Sequence, residues 1–89
     1  MSTRITIVTK DDCALCDHAK EVIARVGDEF DIELELVGLE TARGREVALQ
    51  SGMVFPPAVL VDGQPFAYGR LSERQLRRAL AQRPVTPSR

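Results

Sequence analysis

The chain has 89 residues, a formal net charge of −1 and 28% charged residues. It is long enough for one small domain, too balanced in charge to favour nucleic acid as a partner, and too apolar to be disordered. No apolar run reaches the ~20 residues that span a bilayer, and Met1-Ser2-Thr3-Arg4 leads straight into a strand pattern with no space for a signal peptide. A soluble, cytoplasmic protein with no membrane partner is therefore expected. Phe30, Phe55, Phe66 and Tyr68 are the only aromatic residues, so the core must be aliphatic. Acids and bases number 11 and 6 in residues 1–46 but 2 and 6 in residues 47–89. That asymmetry reads as two solvated faces of opposite bias.

The first strand spans Arg4 to Thr9 and carries Val and Ile on both parities, which implies burial on both sides. A helix follows over Leu15 to Val26, with Leu15, Ala19, Val22, Ile23 and Val26 at the spacing of one buried face. Gly27 is its expected C-cap, and Glu21 with Arg25 forms a favourable i, i+4 pair. Asp31 to Val37 alternates strictly, predicting an edge strand with one buried apolar face and one wet acidic face. Thr41 to Gln50 is a weaker helix. Gly44 costs it about 1 kcal/mol of propensity and Gly52 closes it, so a short or irregular turn is expected. Ala58 to Val61 is wholly apolar and reads as a central strand. Asp62-Gly63 is a two-residue hairpin signal, and Pro65 assigns the returning strand, Gln64 to Tyr68, to an edge. Ser72 as N-cap, Gln75 three residues on and the Leu71/Leu76 staple start the last helix, which Pro84 stops. Residues 1–83 are expected to form a single domain, and residues 84–89 a disordered tail. The order is β-α-β-α-β-β-α, a four-stranded mixed sheet with three flanking helices.

The only two cysteines lie in Thr9-Lys10-Asp11-Asp12-Cys13-Ala14-Leu15-Cys16, where the first strand gives way to the first helix. A helix N-terminus offers unpaired N–H groups and a positive potential, both of which stabilise a thiolate. With Leu15, Val22 and Val26 taken as the core direction, Cys13 lies toward solvent and Cys16 at the edge of the buried face. An exposed thiolate attacks, and a sheltered thiol one turn on resolves the mixed disulfide. Asp11 and Asp12 oppose the helix by like-charge repulsion, so a depressed but not extreme acidity is expected. Cys13-x-x-Cys16-x-His18 resembles part of a zinc set. Four convergent ligands are needed, however, and the sequence has no second Cys or His pair, so no metal site is assigned. His18 reads as a boundary residue.

Element order, motif position and the proline before the third strand resemble the thioredoxin fold in its minimal glutaredoxin form, over residues 4–82. The closest likeness is to small bacterial glutaredoxin-like proteins with a Cys-x-Leu-Cys motif. The resemblance implies a thiol–disulfide oxidoreductase in which Cys13 is the nucleophile and Cys16 the resolving thiol. It also implies that Pro57 is the cis-proline beside the motif and that Phe55 and Pro56 line the substrate face. Lys10 would lie near the thiolate, and Gly69 and Arg70 would hold the far end of a cosubstrate. No bound cofactor is implied; glutathione or another low-molecular-weight thiol would be a cosubstrate. Partners would be protein or small-molecule disulfides and an external thiol reductant, and the protein a monomer. An iron–sulfur cluster bridging two protomers, known for some glutaredoxins, stays open. The departures are specific. Pro56 has no N–H to pair with a substrate backbone. Ala14-Leu15 replaces the usual Pro-aromatic pair, and Arg70 follows a single glycine. A redox-responsive binding module with little turnover is the alternative function.

Overall fold

A computed structural model describes residues 3–52 and 55–82. The elements are β1 (Thr3–Thr9), α1 (Ala14–Val26), β2 (Ile32–Gly38), α2 (Ala42–Ser51), β3 (Ala58–Val61), β4 (Gln64–Tyr68) and α3 (Glu73–Ala81). They form one sheet in the order β2-β1-β3-β4. β1 pairs parallel with β2, while β3 is antiparallel to both β1 and β4. This is the thioredoxin-like β-α-β-α-β-β-α architecture expected from the sequence, with both expected edge strands at edges. The expected tail at 84–89 lies outside the described residues.

β1 is central because it can be buried on both sides. Ile5 and Ile7 face one layer, in which α1 contributes Ala19, Val22, Ile23 and Val26 and α3 contributes Leu76 and Leu80. Val8, with Ala58 and Leu60 of β3, faces the other layer, where Val47 of α2 and Leu39 complete a smaller cluster. Each fully buried aliphatic side chain contributes roughly 1.5–3 kcal/mol relative to exposure. The hairpin closes as its sequence requires: Asp62 and Gly63 both have positive φ, 50° and 83°, which two-residue primed turns demand. Asp62 further ties the turn to β1, its carboxylate accepting from the Arg4 N–H at 2.9 Å.

Three expectations need correction. The apolar face of β2 is not buried: Leu34 is 41% and Leu36 51% exposed. β2 is an edge strand, and of that face Ile32 packs against the core while Leu34 only borders α1. On its other face Glu35 is held rather than wet, accepting from Arg43 of α2 at 2.9 Å and from the Thr6 hydroxyl at 3.2 Å. Arg25 does not pair with Glu21; it reaches Glu73 of α3 at 3.0 Å. Glu73 also accepts from Arg77, which in turn binds Glu29 at 2.7 Å.

The third correction concerns α2, a regular ten-residue helix. Thr41 caps it, accepting from the Gly44 N–H at 3.0 Å and donating to the Gly38 carbonyl at 2.7 Å. Gly52 ends it in a left-handed conformation, φ 71°. Gly44 is a packing residue rather than a weak link. A Cβ there would overlap the Gly38 carbonyl oxygen and lie 2.7 Å from the carbonyl carbon. The Gly27 cap, by contrast, is right-handed (φ −64°), its N–H donating to the Ile23 carbonyl at 2.8 Å while the Asp28 N–H donates to that of Arg25 at 3.2 Å.

Two outcomes follow from this packing. Gly44→Ala gains helix propensity of about 1 kcal/mol but forces backbone apart, a cost of about 1–3 kcal/mol or more. Urea unfolding should show a net loss of stability, and a variant at least as stable as the parent would refute the close approach. The second outcome concerns acid. Hydrogen bonds from Arg77, then Arg25, hold the Glu73 carboxyl below its usual 4.5, and Arg43 foremost lowers Glu35 likewise. Both groups lend stability that is present above pH 4.5 and lost as pH falls through the lowered folded values. Glu73→Gln should therefore flatten the acid limb of a stability–pH curve, measured by denaturant midpoint.

Candidate active site

The sheet gathers the candidate residues at one end. β1 ends at Thr9 and the chain turns through Lys10, Asp11 and Asp12 into α1. Val8 pairs with Ala58, so Pro57, one residue before, stands opposite the end of β1. Ala58 pairs with Tyr68, which brings Gly69 and Arg70 to the same end. Three loops distant in sequence thus meet around the start of α1.

Asp12 has φ 53°, a left-handed turn that Asp tolerates better than most side chains. Cys13 follows as the N-cap of α1, extended at φ −120°, ψ 102°. An N-cap side chain normally offers oxygen to a first-turn N–H. Here sulfur takes that place: Cys13 Sγ accepts from the Cys16 N–H at 3.1 Å. The N–H points at the atom that becomes the thiolate, and the helix end adds its positive potential. Cys13 is half-buried, and Cys16 is 1% exposed within the apolar face of α1. The two sulfurs are joined as a disulfide.

The spacing argument placed Cys16 at the margin of the core; it lies inside. The reason is Leu15, which is 37% exposed and does not mark the core direction. The buried stripe of α1 begins at Cys16. Leu15 sits one residue ahead of that stripe, in the first turn of the helix.

The Pro56–Pro57 bond is cis, and Pro57 is fully buried. Its carbonyl accepts from the Gly69 N–H at 2.8 Å, locking the two loops together. Gly69 is required twice over: its φ is 74°, and a Cβ would stand 3.1 Å from the Phe55 ring. Phe55 is 53% and Tyr68 38% exposed. Tyr68 is anchored by its hydroxyl, which donates to the Ser51 carbonyl at 2.8 Å and so joins β4 to α2. This tie to α2 was missed in sequence, where Tyr68 reads only as a strand residue. Lys10 is exposed, and no hydrogen bond or ion pair among the described residues ties it to Cys13. Arg70 is exposed beside Gly69 and borders a cleft that also includes His18. No group of three or more His, Cys, Asp or Glu among the described residues is placed to hold a metal ion, and no helix there is long and apolar enough to cross a membrane.

Titration of the reduced protein should find the Cys13 thiol below the ~8.5 of a free cysteine, owing to the Cys16 N–H and the helix end. It should also stay above ~4, the extreme reached in strongly oxidising Cys-x-x-Cys proteins, because Asp11 and Asp12 precede it. Thiolate absorbance against pH measures it; a midpoint outside that interval contradicts this balance of charges.

No curated protein matches the chain in sequence. Among solved structures, reduced desulfothioredoxin from Desulfovibrio vulgaris Hildenborough superposes with a TM-score of 0.68 at 24% identity, over 91% of this chain and 80% of that one. A protein of unknown function from Staphylococcus aureus gives 0.62 at 15% identity, over 92% and 91%. Both likenesses concern the fold. The family model for the glutaredoxin-like domain (DUF836) matches residues 4–81, nearly all of the described chain, and it meets the Cys-x-x-Cys pair at the helix start where thioredoxin-fold redox thiols stand. The chain belongs to the glutaredoxin-like domain (DUF836) family.

Proposed function

We propose that this protein is a thiol–disulfide oxidoreductase working by dithiol exchange. The observation that carries the reading is the sulfur cap: Cys13 Sγ accepts the Cys16 N–H at 3.1 Å at the start of α1, with Cys16 buried behind it. In the reduced protein the Cys13 thiolate attacks one sulfur of a substrate disulfide. A Cys13–substrate disulfide forms and the other substrate thiolate leaves, taking a proton from solvent. Cys16, losing its proton, then attacks Cys13 Sγ, which breaks the mixed disulfide and releases the second substrate thiol. Two electrons have passed to the substrate, and the Cys13–Cys16 disulfide remains. An external thiol reductant restores the dithiol by the reverse exchange.

Substrates on this reading are protein or small-molecule disulfides. No resident cofactor is needed, and glutathione or another small thiol acts as cosubstrate. A monomer working in a reducing, cytoplasmic setting suits two cysteines used for exchange rather than as a permanent staple. The exposed Phe55 and Leu15 and the half-buried Pro56, at the same end of the sheet as the disulfide, support a docking rim for substrate, and Pro56 offers only its carbonyl to a substrate backbone.

Trapping tests the proposal. Cys16→Ser should hold its partner as a stable mixed disulfide through Cys13, visible on a non-reducing gel and lost with reductant. Cys13→Ser should trap nothing and should lower disulfide reduction by at least about 10³-fold, by analogy with loss of a covalent nucleophile. Full activity in Cys13→Ser overturns the assignment. Negligible turnover of the unaltered protein with every thiol donor would instead identify a redox-responsive binding module.

A further inference from the structure

The two edges of the sheet are built differently. β4 is five residues long and carries Pro65, and its register with β3 breaks between Val59 and Leu60. Proline and a bulge both keep a further strand from pairing. β2 has neither. It runs seven residues, and its register with β1 is unbroken. The Thr3 N–H donates to the Asp31 carbonyl and the Leu39 N–H to that of Thr9, so the odd-numbered residues of β2 turn their backbone groups toward β1. Ile32, Leu34 and Leu36 turn theirs outward, where the sheet ends and no described residue pairs with them.

The side chains of the same three residues share one face. Ile32 is half-buried, and Leu34 and Leu36 are exposed. Beside them a groove of about 270 Å³ runs between β2 and α1, lined on the helix side by Ile23, Ala24 and Gly27. Free backbone groups and uncovered apolar side chains therefore occur on the same residues. A strand added to a sheet edge uses both, gaining affinity from main-chain bonds and specificity from alternate side chains.

Charge defines which strand fits. Glu33, Glu35 and Glu29 are matched within the chain by Arg4, Arg43 and Arg77 at 3.5, 2.9 and 2.7 Å, and Lys20 on the groove rim by Asp17. Asp28 and Asp31 are exposed, and their side chains have no partner among the described residues. Both precede β2, so the unmatched charge is negative and lies at one end of the edge. A second copy is a poor match, because Asp31 to Val37 holds three acids and no base, and like charges across a strand pair repel.

We propose that the free edge of β2 is a docking site for an extended segment of a partner protein, added antiparallel as a fifth strand. Its apolar side chains cover Leu34 and Leu36, and lysine or arginine at its C-terminal end lies beside Asp28 and Asp31. The docking does not depend on exchange chemistry at Cys13.

Amide hydrogen exchange followed by NMR tests it on the unaltered protein with the disulfide intact. In the free protein the Leu34 and Leu36 N–H groups should exchange much faster than those of Glu35 and Val37, which face β1. The probe is the peptide acetyl-Thr-Val-Thr-Val-Thr-Val-Lys-Lys-amide. At about 1 mM it should slow exchange at Leu34 and Leu36 at least about twofold, the effect of a ligand present at its Kd. A peptide of the same composition with its valines clustered should protect less. One ending in Glu-Glu should bind about threefold to tenfold more weakly, the size of two exposed charge contacts. Asp28→Asn combined with Asp31→Asn should erase the difference between the lysine and glutamate peptides. Absence of protection by the lysine peptide overturns the proposal, as does equal protection by the clustered or the glutamate peptide. Protection already present in the free protein, with a dimeric mass in sedimentation, would place a second copy on the edge and overturn it too.

Discussion

A helix begun by sulfur is the constraint on which this small fold depends. The first turn of any α-helix carries N–H groups with no partner inside the helix, and most proteins give one of them to a hydroxyl or carboxylate oxygen. Here the Cys16 N–H goes to Cys13 Sγ. Local structure and chemistry are then one interaction, because the contact that starts α1 is also the one that favours the thiolate. It only works if α1 starts at that residue. β1 fixes the start by ending at Thr9, and three residues, with Asp12 in a left-handed conformation, reverse the chain. β1 in turn is fixed by hydrogen bonding on both edges and burial on both faces.

The loops that face the cap are held by contacts that reach across the chain. The Pro57 carbonyl to Gly69 N–H bond ties the loop before β3 to the turn after β4, and the Phe55 ring packs where a Gly69 side chain would stand. The same turn leads into α3, which is drawn onto α1 by Leu76 and Leu80 in the core and by the Arg25–Glu73–Arg77–Glu29 chain at the surface. Surface ion pairs are individually weak, so the apolar contacts carry the stability and the charges set the register of α3. These pairs also join the acidic first half of the sequence to the basic second half. Outside these pairs, among the described residues of the second half, stand Arg70, Arg74 and Arg78.

The fold was readable because each element carried its own marker. Val and Ile on both parities marked β1, Pro65 marked an edge, Asp62-Gly63 marked the hairpin and Ser72 marked the start of α3. The place of the cysteine pair, at the junction of β1 and α1, was readable for the same reason, since it follows from one strand end and one helix start. What sequence could not give were facts that depend on where one element stops covering another. Leu15 has the right helical spacing for burial but lies in the first turn of α1, ahead of the buried stripe. Leu34 and Leu36 alternate correctly but stay 41% and 51% exposed on an edge strand. Gly44 looked like a defect in α2 until the Gly38 carbonyl was found against it. Arg25 had a plausible partner four residues away and took one from another helix. In each case the deciding neighbour is at least several residues distant and its identity follows only from the assembled layers.

The substrate side of the site shows a division of labour of the same kind. On the exchange reading, a disulfide approaching Cys13 meets Phe55 and Leu15, both substantially exposed, and a backbone that at Pro56 can accept a hydrogen bond but not donate one. Recognition by extended pairing needs both, so a substrate chain cannot gain full register from the loop before β3. On that reading binding energy must then come from side chains, chiefly from the apolar area around the disulfide. A site built this way selects less by the backbone conformation of its substrate than by what flanks the sulfur.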